Sequence, residues 1–287
     1  MTSVIFVCLL AFAPAPVVAQ EPKPQVLIVT NSHNSDERQI VIDYALERYG
    51  MELRRWGMDY TKGDPSDVNA HTLANTDVVV FLHTLGRILD QGQRQALEDY
   101  MRQGGGFVGV GSAASTETEW PYFHELIGAV ATDADRAETS KEVTFATEHL
   151  AARGMGDDWE PSDHWLTFDR DPEQMGATIV ASVDSGHPVA WQQQLGHGRS
   201  FYTSLGGAYG TWGEREFGKF LRQATWWAAG NDAGLRQDST AAAPHWPYTA
   251  AFILLVGAVA TGGIIAVARS EQATRRPASA EGQPKRT

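Results

Sequence analysis

Three side chains in this 287-residue sequence are candidates for acid–base chemistry: His33, His83 and Glu117. An imidazole changes its charge near neutral pH, so a histidine can donate or accept a proton under ordinary conditions. Each of the three residues follows a segment with the composition of a buried strand. A catalytic role is one interpretation, and the alternative is that each histidine is hydrogen-bonded within its own loop.

A second group of polar and aromatic residues could bind a sugar. An aromatic ring packs against the apolar face of a sugar, while hydroxyl, carboxylate and imidazole groups bind its hydroxyls. The candidate ligand-binding residues are Thr84, Ser112, Ser115, Thr116, Trp120, His164, Trp165, His187 and Tyr209. The two tryptophans could equally be ordinary packing residues.

Ser112 resembles a nucleophile because it follows Gly111 at the end of a predicted strand. A nucleophile elbow, however, requires the pattern G-x-S-x-G, and the flanking residues here are Val110 and Ala114. The pattern therefore does not favour a serine hydrolase.

Metal and phosphate sites also lack their motifs. No HExxH or comparable ligand spacing occurs, and His33, Glu117 and His164 are too scattered in sequence to define a metal site. The glycine run at 104–106 precedes a strand instead of opening a helix, so it predicts a tight turn and not a phosphate loop. No metal and no cofactor is predicted.

Strands and helices alternate in the first half of the chain. The predicted strands are 25–30, 76–83 and 107–110, and the predicted helices are 36–49, ended by Gly50, and 90–103, capped by Asp90. This order predicts a doubly wound, mostly parallel α/β sheet. In such a sheet the ligand site lies at the carboxyl ends of the strands, where the candidate residues fall.

The second half has the pattern of an antiparallel extension. The predicted strands are 142–147, 177–183, 189–194 and 199–204, with a hairpin turn at 195–198. A last helix is predicted over 214–229, because its apolar residues recur at helical spacing and Gly230 follows it.

Both ends of the chain carry targeting patterns. An apolar run followed by small residues predicts a signal peptide at 1–19, the alternative being a first buried strand or helix. Residues 248–268 contain no charged side chain, and 21 residues can cross a bilayer as a helix. The tail 269–287 is basic, which places it in the cytoplasm. The prediction is an extracytoplasmic domain at 20–230, a spacer at 231–247 and a single transmembrane helix.

Charge and cysteine content exclude further classes. The chain has 23 Lys and Arg against 35 Asp and Glu, a net charge of -12. An acidic chain is a poor candidate for binding phosphate backbones, so no nucleic-acid partner is predicted. The one cysteine, Cys8, lies in the predicted signal peptide and excludes a disulfide framework.

Several stretches together resemble the ThuA-like family, named for trehalose utilisation. They are VLIVT at 26–30, DVVVFLHTLGRILD at 77–90, GGGFVGVGSAASTETEWPYFHELIGA at 104–129, SDHWLTF at 162–168, HPVAWQQQLGHGRSFYTSLGG at 187–207 and WWAAG at 226–230. The resemblance implies a flavodoxin-like sheet related to class I glutamine amidotransferases, and an association with sugar metabolism. Amidotransferase activity itself would need a cysteine that the predicted domain lacks.

The sequence departs from the family where polar side chains are usual. Gly111 and Gly207 stand where a histidine is common, Ser115 where an acidic residue is common, and Arg87 where an aspartate is common. The stretch at 163–166 replaces a motif resembling D-E-W-Y. These joint losses indicate an eroded or repurposed active site.

Three functions follow as expectations. The first is a membrane-anchored extracytoplasmic domain that binds a carbohydrate or similar small polar ligand with little or no catalysis. The second is an active sugar-modifying enzyme that uses His33, His83 and Glu117. The third is a scaffold that docks onto another envelope protein.

Overall fold

A mixed eight-stranded sheet forms the centre of the domain. The computed structural model describes residues 23–31, 36–156, 158–184, 186–232 and 235. The chain divides into two units, Met1–Ser239 and Thr240–Thr287, and every described residue belongs to the first.

The strands and helices alternate along the first half of the chain as expected. The strands are β1 (Gln25–Val29), β2 (Asp59–Gly63), β3 (Val78–Leu82), β4 (Gly106–Val110), β5 (Ala131–Ala134), β6 (Thr139–Ser140), β7 (Val143–Phe145), β8 (Ser162–Asp163), β9 (Leu166–Phe168), β10 (Thr178–Val183), β11 (His187–Leu195) and β12 (Gly198–Thr203). The helices are α1 (Asp36–Arg55), α2 (Ala70–Leu73), α3 (Gln91–Arg102), α4 (Pro121–Ile127) and α5 (Arg215–Ala228).

The strand order confirms the predicted α/β class with an antiparallel extension. The sheet runs β2-β1-β3-β4-β12-β11-β10-β7. The first five strands are parallel to one another, and β11, β10 and β7 add in antiparallel pairs. The parallel part has the 2-1-3-4-5 order of flavodoxin-like sheets. Two small two-stranded antiparallel sheets, β5 with β9 and β6 with β8, lie outside it.

Each face of the sheet is covered by helices. Strand β3 and residues 26–29 of β1 are apolar and buried, and alternate side chains point to opposite faces. Val80 therefore packs in the same cluster as α1 and α5, and Phe81 packs in the cluster with α3 and α4. This two-faced core leaves the ends of the strands as the place where loops can form a site.

The sequence also identifies how α3 begins. Asp90 accepts a hydrogen bond from the Gln93 N–H at 2.9 Å, and the Gln93 side chain accepts one from the Asp90 N–H at 2.7 Å. This reciprocal capping box satisfies N–H groups that the first turn leaves unpaired. The helix ends at the glycine run, where Gly104 has a φ of 103°, so the predicted tight turn is confirmed.

The predicted end of the first helix at Gly50 is wrong. Helix α1 continues to Arg55, and Gly57, with a φ of 79°, follows its end. A side chain at position 50 would overlap the ring of Tyr60 on β2. Gly50 is thus a close-packing position between a helix and an edge strand, and a glycine used for packing has the same sequence signature as a helix stop.

The predicted ends of the chain lie outside the described residues. This applies to the signal peptide at 1–19, the transmembrane segment at 248–268 and the tail at 269–287. Within the part of the chain that the structure describes, no helix is long and apolar enough to cross a membrane.

Candidate functional site

A cavity of about 430 Å³ lies at the carboxyl ends of β3, β4 and β12. Its other walls come from α1 and from the two-stranded sheet of β5 and β9. The polar side chains that line it are Arg38, His83, Ser112, Asp135, His164 and Ser204. Its size is in the usual range for small-molecule sites.

A larger groove of about 880 Å³ lies at the opposite ends of the strands. It is lined by Gln25 and Asp59, at the amino ends of β1 and β2, and by Asn231 after α5. Open α/β sheets bind their ligands outside the carboxyl ends of the strands. The smaller cavity, here named the strand-end cavity, is therefore the candidate site.

His83 enters the strand-end cavity in a strained backbone conformation. It follows β3 with a φ of 52°, it is 5% exposed, and its N–H donates to the Val110 carbonyl at 3.1 Å. Gly111, with a φ of 62°, begins the turn after β4, and a side chain there would overlap the His83 imidazole. The absence of a side chain at Gly111 thus leaves room for the imidazole. The buried Tyr202 hydroxyl donates a hydrogen bond to the Gly111 carbonyl at 2.7 Å.

The hydroxyl residues divide between the cavity and the loops behind it. Ser112 lines the cavity, and its hydroxyl donates to the Thr84 carbonyl at 3.3 Å. The Thr84 and Thr116 hydroxyls are fully buried and bond to each other at 2.8 Å. The Ser115 carbonyl accepts from the Gly86 N–H at 3.0 Å. All four predicted ligand residues therefore connect the loops after β3 and β4, and Ser112 also lines the cavity.

Glu117 does not line the strand-end cavity. Its side chain is buried, and the carboxylate accepts from the N–H groups of Ile88 and Leu89 at 2.6 and 2.8 Å. It also pairs with the Arg94 guanidinium, whose Nε lies 2.9 Å away. Both carboxylate oxygens thus accept hydrogen bonds from the chain itself. Glu117 therefore fixes the loop before α3.

The two tryptophans are placed as packing residues, which was the alternative for both. Trp120 is 8% exposed and packs against Phe123, with ring centroids 6.1 Å apart. Trp165 is 3% exposed, and its indole N–H donates to the Thr139 carbonyl at 2.9 Å. Neither ring lines the strand-end cavity.

Of the remaining predicted residues that the structure describes, His164 lines the cavity and the other two do not. Its Nδ1 lies 3.1 Å from the Asp135 carbonyl. His187 instead bonds to the Leu166 carbonyl at 2.8 Å, and Tyr209 stacks on Tyr44 with ring centroids 4.1 Å apart. His33 lies outside the described residues.

Sequence reasoning missed Asp163, which shapes the wall of the cavity. This fully buried carboxylate accepts from the N–H groups of Gly206 and Ala208 at 2.7 and 2.8 Å and from the Thr211 hydroxyl at 3.0 Å. Burial raises the pKa of Asp163 above its ordinary value, and these bonds offset only part of the rise. Asp163 thereby holds the segment that carries Gly207 along the cavity.

Arg38 was also missed. It lies near the start of α1, one turn before Val41, and both residues line the cavity. Burial lowers the pKa of the Arg38 guanidinium, because a low-dielectric environment disfavours the charged form. In the sequence Arg38 is marked only by its position one helical turn before Val41. A basic residue so placed is common on solvent-exposed helices, so it does not single out a site.

The described residues include no group of three or more His, Cys, Asp or Glu side chains placed to hold a metal ion. The polar groups of the cavity can donate and accept hydrogen bonds, and the His83 and His164 imidazoles could transfer protons.

The chain is thus a doubly wound α/β domain with a cavity at the carboxyl ends of its strands. The chain belongs to the ThuA family, described as trehalose utilisation, which it matches over residues 25–228. The resemblance inferred from the sequence is thus confirmed. No curated protein matches the chain.

Solved structures support the same fold. A ThuA-like protein from Bacteroides uniformis is 19% identical with a TM-score of 0.63, and the match covers 73% of this chain and 93% of that one. One from Parabacteroides merdae is 17% identical with a TM-score of 0.57, covering 72% and 90%. A β-galactosidase from Bacillus circulans is 15% identical with a TM-score of 0.52, covering 71% of this chain and 31% of the enzyme. At these identities the likeness concerns the fold alone.

Proposed function

We propose that this chain binds a carbohydrate or a similar small polar ligand in the strand-end cavity and does not turn it over. The observation that carries the proposal is the lining of the cavity. The apolar side chains of Val41 and Leu166 lie beside the polar ones of His83, Ser112 and His164. A sugar presents both kinds of surface, so such a lining suits it.

The position of the acidic groups argues against turnover. General acid–base catalysis needs a positioned proton donor or acceptor within hydrogen-bond reach of the reacting group. The carboxylates of Glu117 and Asp163 are both occupied by donors of the chain itself. Among the described residues, the carboxylate that lines the cavity is Asp135, which directly follows β5 and is exposed.

An active sugar-modifying enzyme is the second candidate, and His83 favours it. Related sequences commonly carry a histidine where Gly111 stands, and here the His83 imidazole from the neighbouring strand lies against that glycine. Strained backbone conformations cluster at active sites. The site thus keeps one imidazole next to the turn after β4, although from a different strand.

Sugars are the first ligand class to test, because a β-galactosidase shares the fold over part of its length. The purified protein would be titrated with a panel of mono- and disaccharides by calorimetry, and each mixture would be analysed for products. Saturable binding without product supports the proposal. Turnover that disappears in His83→Ala would establish the enzyme instead, and absence of binding would remove the carbohydrate proposal.

We also propose that the domain is exported and anchored by the segment at 248–268, with the tail in the cytoplasm. The support is the uncharged 21-residue segment followed by a basic tail. Protease added to intact spheroplasts should degrade the domain and spare a small tail fragment, whereas full protection of the domain would refute the orientation. A third possibility, docking onto an envelope protein, would be favoured if the anchored domain co-purified with one partner and bound no sugar.

A further inference from the structure

Arg38 lines the strand-end cavity and, like Arg48 and Arg153 outside it, is partly buried without an ion-pair partner among the described residues. Three other partly buried arginines have such a partner. Arg94 is paired with Glu117, Arg199 lies 2.6 Å from Asp232, and Arg222 lies 4.0 Å from Glu52. In each case a carboxylate of the chain balances the guanidinium, as expected for a cation removed from water.

Arg38 has only neutral acceptors among the described residues. Its Nη2 donates to the Ser112 hydroxyl and, at 3.5 Å, to the His83 carbonyl. No described carboxylate lies within ion-pairing distance, and its buried Nε has no described hydrogen-bond acceptor. The guanidinium is half-buried in the wall of the strand-end cavity, so its charge is incompletely balanced at the place where a ligand would lie.

We propose that the ligand of the strand-end cavity carries an anionic oxygen group, a carboxylate or a phosphate, and that Arg38 binds this group. The inference rests on the proposed function, since it takes the cavity as the ligand site. A guanidinium suits such a group because its planar array of N–H donors matches the geometry of carboxylate and phosphate oxygens.

The other lining residues determine how many anionic groups a ligand in the cavity can carry and how the ligand is oriented. Asp135 also lines it and would repel a second anionic group, whereas it can accept hydrogen bonds from sugar hydroxyls. The His83 and His164 imidazoles add positive charge only when protonated. The lining therefore suits a sugar with one anionic substituent, directed toward Arg38 and away from Asp135.

The test is calorimetry on the full-length chain at low salt with glucose, glucuronate and glucose 6-phosphate. At least one anionic sugar should bind about 10- to 100-fold more tightly than glucose, which is the usual worth of a hydrogen bond to a charged group. Whether glucuronate or the phosphate ester is preferred identifies the anionic group as a carboxylate or a phosphate.

Arg38→Gln should remove this preference, measured as the ratio of the affinity for the anionic sugar to the affinity for glucose in the same variant. Arg38→Lys, which keeps the charge, should retain part of the preference and serves as the second variant if Arg38→Gln does not fold. Arg55→Gln is the matched control, because Arg55 is exposed on the same helix α1 and its loss changes the net charge equally.

Equal affinities for the three sugars, or a preference that survives Arg38→Gln, would overturn the assignment of Arg38 while the carbohydrate site stands. Failure of all three sugars to bind would contradict both this inference and the proposed function.

Discussion

The imidazole of His83 lies against Gly111, in the space that any side chain at position 111 would need. Two adjacent strand ends thus share one site: β3 supplies the imidazole, and β4 supplies the gap that receives it. Both residues have a positive φ, which glycine adopts without cost and which is strained for His83.

Gly111→Ala should therefore displace His83 and destabilise the fold. A positive φ costs an alanine about 1–2 kcal/mol, and overpacking a buried site costs about 1–3 kcal/mol more. Gly196→Ala is the matched control, because Gly196 has a φ of 64° and open space around it. Urea denaturation should show the backbone cost alone for Gly196→Ala and a clearly larger loss for Gly111→Ala. Equal losses in both variants would mean that His83 does not fill the position.

Glu117→Gln should destabilise the protein without a specific effect on ligand binding, because Glu117 fixes a loop and does not line the cavity. Removing one partner of a buried, hydrogen-bonded ion pair costs about 3 kcal/mol. Glu98→Gln, which breaks the exposed pair with Arg102, should cost less than about 1 kcal/mol. A stable Glu117→Gln protein that lost turnover of a sugar would restore Glu117 as a catalytic residue.

The raised pKa of Asp163 predicts a pH dependence of stability. Its unfolded pKa is about 3.9, so between that value and the higher folded pKa the native state binds more protons than the unfolded state. The contribution of Asp163 to the free energy of unfolding should then fall as pH rises through this window. Urea denaturation should show the stability of wild type falling relative to Asp163→Asn as pH rises from about 4. A relative stability that rises with pH would show that the hydrogen bonds outweigh burial.

Asp64 provides a control of opposite sign. Hydrogen bonds from the Ser66 hydroxyl and N–H lower its pKa, so its stabilisation is present above the unfolded pKa and is lost as pH falls through the folded one. The stability of wild type should therefore fall relative to that of Asp64→Asn as pH drops below about 4.

The sequence predicts the elements whose signals are local. The continuous apolar run of β3, the cap of α3 at Asp90 and the hairpin turn before β12 all depend on neighbouring residues, and all are present. Strand β2 was missed because it is an edge strand of mostly polar residues whose pairing with β1 is set by the fold.

The candidate site was only partly predictable for the same reason. The rule that site residues follow the ends of strands correctly predicts that His83 and Ser112 line the cavity. The same criterion also suggested Glu117 and Trp120. These side chains are instead buried outside the cavity, Glu117 against Arg94 and Trp120 against Phe123. Asp163 and the unpaired charge of Arg38 depend on contacts between residues distant in sequence, which composition and spacing do not reveal.

Histidine NMR can test whether the ligand lies in the strand-end cavity. In the imidazole spectrum of the protein titrated with glucose and glucuronate, the resonances of His83 and His164 should shift with a common saturation curve. The resonances of His197, which lies just before β12 at the end of that strand opposite the cavity, should stay in place. Saturable binding that left the His83 and His164 resonances unchanged would contradict this site and place the ligand outside the strand-end cavity.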